Sequence, residues 1–173
     1  MIGRNLEGIA MRAAVASTLI ALLAATPACA EGLLITHRLP AALAMQAVTE
    51  AVASCARQGY AETAVLVDAD GVRQAVLRGD RTGSHSLDSA FDKAYTAATF
   101  KIATIALSER AKAVPGFEAL FAQLPHLILF GGGVPIKLGD EVIGAIGAAG
   151  APGANLDDAC AKAGIDKISD QLK

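Results

Sequence analysis

Residues 63–77 decide the fold, and they read TAVLVDADGVRQAVL. Thr63–Val67 and Val72–Leu77 are two runs that favour strands, and Asp68-Ala-Asp-Gly71 lies between them. An Asp-Gly pair between two such runs is typical of a tight turn, because glycine readily adopts the positive φ that the turn needs. The stretch therefore predicts an antiparallel hairpin.

Helical periodicity flanks this hairpin on both sides. Before it, apolar residues recur at helical spacing over 41–57, and Pro40 suits a first helical turn. After it, a second apolar stripe runs over 87–102, with Ser84 or Ser86 in position to cap the helix. We expect one helix on each side of the hairpin.

The second half of the chain is predicted to hold five elements. They are a short helix at 117–124, strands at 127–130, 134–138 and 141–148, and a last helix at 156–172. No βαβ repetition appears, which argues against a doubly wound parallel sheet. The predicted fold class is α+β, a single five-stranded antiparallel sheet with flanking helices in the order α-β-β-α-α-β-β-β-α.

Composition narrows the class of protein. The chain has 173 residues, 53% of them hydrophobic, and a formal net charge of -2, which suits a single domain. Neutralising phosphates requires a basic face, and no cluster of Lys or Arg is visible, so nucleic acid is not an expected partner. Only 4% of residues are aromatic, which leaves little for stacking on bases.

Residues 1–30 resemble a secretory signal. Arg4 and Arg12 precede an apolar run over 13–25 that is short for a bilayer span, and Ala28-Cys-Ala30 fits a cleavage site. We expect cleavage after Ala30, which leaves residues 31–173 as one periplasmic or extracellular domain with no membrane span. An uncleaved N-terminal anchor is the alternative.

Two cysteines remain in that domain, Cys55 and Cys160, each in a predicted helix. An oxidising compartment would allow a disulfide between them if the two helices pack side by side. Two buried free thiols are the alternative.

Glycines are concentrated near the C-terminal strands. Neither Gly131-Gly-Gly133 nor the Gly144, Gly147, Gly150 series matches a dinucleotide or phosphate-loop motif. The triple glycine serves either close packing or the exposure of backbone N–H groups to an anion. The small residues of the last strand permit close approach by a helix or another subunit.

Histidine supplies the candidate metal ligand. None of the three histidines lies in a zinc-type spacing; we expect His37 on the surface and His126 in the core or at an interface. His85 lies in a polar turn with Arg78 and Arg81. Its imidazole could ligate iron, and the arginines could pair with carboxylates such as haem propionates. The alternative is a solvated loop histidine.

Lys93 is the fourth candidate, because it lies in a largely apolar helix. It is either a buried amine or anion contact, or a lysine that extends its amine to solvent along the exposed side.

Five phrases together resemble one known family. They are Ala64-Val-Leu-Val-Asp-Ala-Asp-Gly71, Ser89-Ala-Phe-Asp-Lys-Ala-Tyr-Thr-Ala-Ala98, Pro115-Gly116, Gly131-Gly-Gly-Val-Pro-Ile136 and Gly144-Ala-Ile-Gly147. In this order they are similar to the GlcG/HbpS family of haem-binding proteins, also called DUF336. The similarity spans about Leu39 to Leu172. One departure is that Phe100 is followed by Lys101-Ile-Ala103 where the family usually has Pro-Thr.

The resemblance implies an α+β fold, a homo-oligomer, haem binding in secreted members and, in one branch, a sensor kinase as partner. The first hypothesis is therefore a secreted haem-binding protein for haem capture or redox sensing. His85 would be its metal ligand, and Arg78, Arg81 and Lys93 would be ligand contacts. The alternative is an enzyme or accessory subunit that acts on a small hydroxy- or oxo-acid. A third reading is an oligomeric envelope protein without a ligand.

Overall fold

The computed structural model describes residue 32 and residues 34–173. The predicted signal segment, 1–30, lies outside the described residues. Residues 36–173 form one unit, to which the following description applies. None of the helices in this part of the chain combines the length and the apolarity needed to cross a bilayer.

Nine helices and strands follow one another in the described part. They are α1 (Ala41–Arg57), β1 (Thr63–Asp68), β2 (Arg73–Arg78), α2 (Ser86–Phe100), α3 (Thr104–Lys112), α4 (Phe117–Phe121), β3 (Gly133–Leu138), β4 (Glu141–Ala149) and α5 (Ala154–Ile168), and a 3-10 turn, Ser169–Gln171, follows them. The strands form one sheet in the order β2-β1-β4-β3. Every neighbouring pair is antiparallel. The α+β class is confirmed, but the sheet has four strands rather than the predicted five.

The hairpin forms as predicted. Thr63 of β1 pairs with Arg78 of β2 at its open end. At the turn, Gly71 adopts a φ of 80°, and the Asp68 carboxylate accepts hydrogen bonds from the N–H groups of Asp70 and Val72. The turn therefore satisfies its own backbone donors with a side chain, which is the usual role of Asp in this position.

Strand β1 is central because it also pairs with β4 along its whole length, from Thr63 opposite Ala149 to Asp68 opposite Gly144. A Cβ at Gly147 of β4 would overlap the backbone of Ala90 and Ala94 in α2. The prediction that small residues in this strand admit a helix at close range is confirmed.

Helices cover both faces of the sheet. Helices α1 and α5 pack on one face, over a core that includes Leu66 and Ile146. Helix α2 packs on the other face, over Val65, Val67 and Ala145. Because β1 is buried on both sides, its apolar run is continuous rather than alternating.

A disulfide joins the two helices of the first face. The Sγ atoms of Cys55 in α1 and Cys160 in α5 are 2.04 Å apart, and the Cα atoms are 5.6 Å apart, which is an ordinary separation for a disulfide. Of the two alternatives left by the sequence, the structure shows the disulfide.

Three local predictions are wrong. Residues 127–130 form no strand, because the Ile128 N–H donates to Thr96 Oγ1 of α2 instead of to a neighbouring strand. The sequence analysis placed no helix at α3, because α3 begins only a few residues after Lys101, whose left-handed conformation ends α2. Neither serine caps α2, because His85 holds that position and Ser86 Oγ donates back to the Gly83 carbonyl.

Candidate functional site

The polar turn between β2 and α2 carries three of the four predicted site residues. Arg78 Nε donates to the Thr82 carbonyl at 2.8 Å, and Arg81 is exposed with a φ of 65°. His85 is exposed at the start of α2, and its ring lies over Gly83. All three residues therefore lie in or beside one surface turn.

A pocket of about 300 Å³ borders this turn. It is lined by Val52, Ala56, Tyr60, Ala61, Glu62, Leu77, Arg78, Gly79 and Asp80. Arg78 is thus the predicted site residue that faces a cavity, while His85 is not among its lining residues.

Lys93 lies in a different place. Its side chain is only 5% exposed, and Nζ is 2.5 Å from Asp157 Oδ2 and donates to the Ala148 carbonyl at 3.0 Å. Lys93 lies eight residues after His85, which corresponds to about 12 Å along the axis of a helix. Of the alternatives left by the sequence, Lys93 is a buried amine in contact with an anion, and two of its three donors have acceptors within the protein.

Glu62 was missed by the sequence analysis. Its residue is 1% exposed, Oε2 lies 3.3 Å from Cys55 Sγ, and Oε1 has no hydrogen-bond partner in the described part of the chain. Burial and the nearby charge of Asp157 together raise the pKa of Glu62 to about 8, although the Lys93 charge acts in the opposite direction. Glu62 therefore holds its proton more tightly than an ordinary glutamate does.

The triple glycine packs around Lys93. The Gly133 N–H donates to Thr104 Oγ1 at 2.9 Å, and a Cβ at Gly133 would overlap the backbone of Lys93. All three glycines are buried. Of the two roles expected for the triple glycine, the structure shows close packing, and the Gly133 N–H is not exposed to an anion.

A second exposed imidazole lies between α4 and β3. His126 has a side chain that is 55% exposed, and its Nδ1 lies 3.0 Å from Asp92 Oδ1 of α2. The ring meets the rings of Phe91 and Tyr95 edge-on, with centroids 5.1 and 6.0 Å away. His126 is therefore not a core residue, contrary to one of its two expected placements.

Arg73 of β2 completes this group. Its guanidinium carbon lies 3.4 Å from the centroid of the Phe91 ring, a cation–π contact, and the side chain makes no salt bridge within the described residues. We name Arg73, Phe91, Asp92, Tyr95 and His126 the His126 cluster. No short sequence motif joins these residues, because they come from a strand, a helix and a distant loop.

His37 is on the surface, as predicted. Its side chain is 56% exposed, and Nδ1 lies 2.6 Å from Glu141 Oε2. Hydrogen bonds from the side chain and backbone of His37 lower the pKa of Glu141. Among the described residues, no group of three or more His, Cys, Asp or Glu is placed to hold a metal ion.

Comparison with known proteins gives relatives of similar size. A 15.0 kDa protein from the dhaT-dhaS intergenic region of Citrobacter freundii is 33% identical over 88 residues. That alignment covers 49% of this chain and 61% of the relative, which is less than two thirds of the relative's length.

Solved structures match over most of the chain. A double mutant of Streptomyces reticuli HbpS is 32% identical, with a TM-score of 0.71 over 83% of this chain and 97% of that one. PduOC, in a complex with haem, is 26% identical, with a TM-score of 0.71 over 76% of this chain and 96% of that one. A family model described as haem degrading protein HbpS-like matches residues 39–166, and the chain therefore belongs to the HbpS-like family that its five sequence phrases predict.

Proposed function

We propose that this protein binds haem and serves haem capture or redox sensing in the periplasm or outside the cell. The observation that carries the proposal is the likeness to PduOC, which matches over 96% of its length and was solved with haem bound. Family membership over residues 39–166 points the same way. Exposed imidazole and guanidinium groups can ligate iron and pair with the haem carboxylates.

Arg78, Arg81 and His85 form the first proposed contact surface. Haem carries two carboxylates, and arginine pairs well with carboxylates. Arg81 is exposed, and Arg78 keeps some donors after its bond to Thr82. Lys93 suits this role less, because reaching a ligand would break its buried ion pair with Asp157, which is costly.

A titration with hemin tests the proposal. We expect the Soret band of hemin to shift and sharpen on addition of the mature protein. A haem held at the turn would make His85→Ala weaken the apparent affinity. His37→Ala is the control, since His37 already pairs with Glu141 at a different surface. A wild-type protein that leaves micromolar hemin unchanged would contradict haem binding.

The cellular setting is a separate part of the proposal. The signal-like segment at 1–30 supports export, and N-terminal sequencing of protein from a periplasmic fraction should then begin at Glu31. A full-length chain in the cytoplasm would contradict it. We also propose a homo-oligomer and, for redox sensing, a sensor protein as partner; light scattering in solution tests the first, and co-purification from the native cell tests the second.

A second candidate function is binding or conversion of a small hydroxy- or oxo-acid. The pocket beside Arg78, of about 300 Å³, favours it because a guanidinium group at a cavity wall suits a carboxylate. Such a ligand should raise the melting temperature in a screen of small carboxylates. A screen in which hemin alone stabilises the protein would remove this candidate.

A further inference from the structure

We propose that His126, rather than His85, is the iron ligand, with Asp92 as its positioning residue and Arg73 as a haem carboxylate contact. This inference rests on the proposed haem-binding function and assigns the residues that would carry it. It follows from the tautomer of His126, the aromatic rings beside it, and the backbone that holds it.

The tautomer of His126 is set by Asp92. An ionised carboxylate only accepts hydrogen bonds, so Nδ1, 3.0 Å from Asp92 Oδ1, carries the proton of the neutral ring. The lone pair is then on Nε2, which has no hydrogen-bond partner among the described residues. A carboxylate behind a ligating histidine fixes the ring and raises its basicity. The Asp92 contact therefore leaves Nε2 as the ring nitrogen available to a ligand.

Two aromatic rings and one guanidinium group surround His126. Phe91 and Tyr95 meet the imidazole edge-on at 5.1 and 6.0 Å between ring centroids. The guanidinium carbon of Arg73 lies 3.4 Å from the centroid of the buried Phe91 ring, and Arg73 has no salt-bridge partner in the described part of the chain. A ring nitrogen and an unpaired guanidinium group match the metal and the propionates of an iron porphyrin.

The backbone at His126 is held in an uncommon conformation. Its φ is 63°, a region that few residues other than glycine occupy. Thr96 Oγ1 of α2 donates to the His126 carbonyl and accepts the Ile128 N–H at 3.0 Å. Such a conformation persists when the structure around it determines it, so the loop places this imidazole on α2.

The other two histidines lack this combination. His85 makes no side-chain hydrogen bond in the described part of the chain and lies over a glycine. His37 has a carboxylate partner in Glu141, but the neighbouring Arg38 is already paired with Asp68 and Asp70. His37 is therefore a matched control for the carboxylate–imidazole pair alone, without aromatic rings or a free arginine.

Two porphyrins separate iron ligation from binding to the surface. With hemin, His126→Ala should lose the imidazole-type Soret and visible bands and bind at least ten times more weakly, while His37→Ala keeps both. Added free imidazole should restore the bands to His126→Ala. With iron-free protoporphyrin, His126→Ala should bind like the wild type, because this porphyrin has no iron for the imidazole to ligate.

A second variant guards against a folding defect. His126→Asn keeps a residue that tolerates a positive φ but removes the imidazole, and it should show the same loss as His126→Ala at an unchanged melting temperature. Wild-type protein that binds no hemin would refute the proposed function itself. Wild-type protein that binds hemin, with its ligand bands intact in both His126 variants, would refute only the assignment of His126.

Asp92 is tested through the potential of the bound iron. Asp92→Asn keeps an acceptor for Nδ1 but removes the negative charge, so the imidazole donates less to iron and the midpoint potential should become more positive. An unchanged midpoint potential, with hemin still bound through His126, would exclude Asp92 from this role.

Discussion

Asp92 and Lys93 are neighbours on α2, yet they belong to two ionic groups of opposite character. Lys93 is 5% exposed, and its amine is satisfied by Asp157 and the Ala148 carbonyl. Asp92 holds one nitrogen of the exposed His126 and leaves the other free. A buried pair whose donors are engaged holds the fold together, whereas an exposed pair with a free lone pair can bind a ligand.

The largest expected effect comes from breaking the buried pair. Lys93→Ala should lower the free energy of unfolding by about 3–5 kcal/mol, because it leaves the buried Asp157 carboxylate without its cation. Chemical denaturation monitored by circular dichroism measures this.

The matched control for the buried pair is the exposed one between Lys112 and Glu109. Lys112→Ala should change the free energy of unfolding by less than about 1 kcal/mol, because solvent screens exposed pairs. Equal losses in Lys93→Ala and Lys112→Ala would mean that burial does not separate the two kinds of pair.

The disulfide should have the next largest effect. Replacing both Cys55 and Cys160 by alanine should cost about 2–4 kcal/mol, because the unfolded chain is no longer constrained over a separation of 105 residues. Denaturation of the wild type with and without a reductant should reproduce the difference. A double variant as stable as the oxidised wild type, with an unchanged denaturant slope, would contradict a stabilising disulfide.

The hairpin and the small-residue strand were predictable from sequence because each depends on local chemistry. The Asp68–Gly71 turn shapes its own backbone, and the glycines of β4 leave room for α2 wherever the helix comes from. The strand expected at 127–130 was wrong for the opposite reason. An apolar run does not show what the segment will pair with. Here Thr96 of α2 takes the Ile128 N–H, residues 127–129 are only half-buried, and Phe130 is 63% exposed.

The candidate site divides in the same way. Polarity marks the turn with Arg78, Arg81 and His85, and sequence alone finds it. The partners His126 and Asp92 are 34 residues apart, and no spacing rule connects a loop to the middle of a helix. The burial of Glu62, just before β1, depends likewise on which helices cover the sheet.

The last expected effect concerns Glu62 and sharpens the contrast between the two groups, since it adds a proton to the buried one. Its pKa is about 8 in the folded protein, against an ordinary value of 4.5. Between these values the folded state binds more protons than the unfolded state, so the free energy of unfolding falls as pH rises from about 5 to 8.

Glu62→Gln removes the titrating group and keeps the shape, so it should flatten the dependence of stability on pH over this range and be more stable than the wild type at pH 8. Glu118→Gln, at an exposed site on α4, is the control and should follow the wild type. Denaturation curves at several pH values measure all three proteins. The Asp157 charge helps to raise the pKa of Glu62. If the stability of Glu62→Gln depends on pH as that of the wild type does, the proton taken up on folding is not bound at Glu62. Lys93 and Asp157 would then be a simple ion pair.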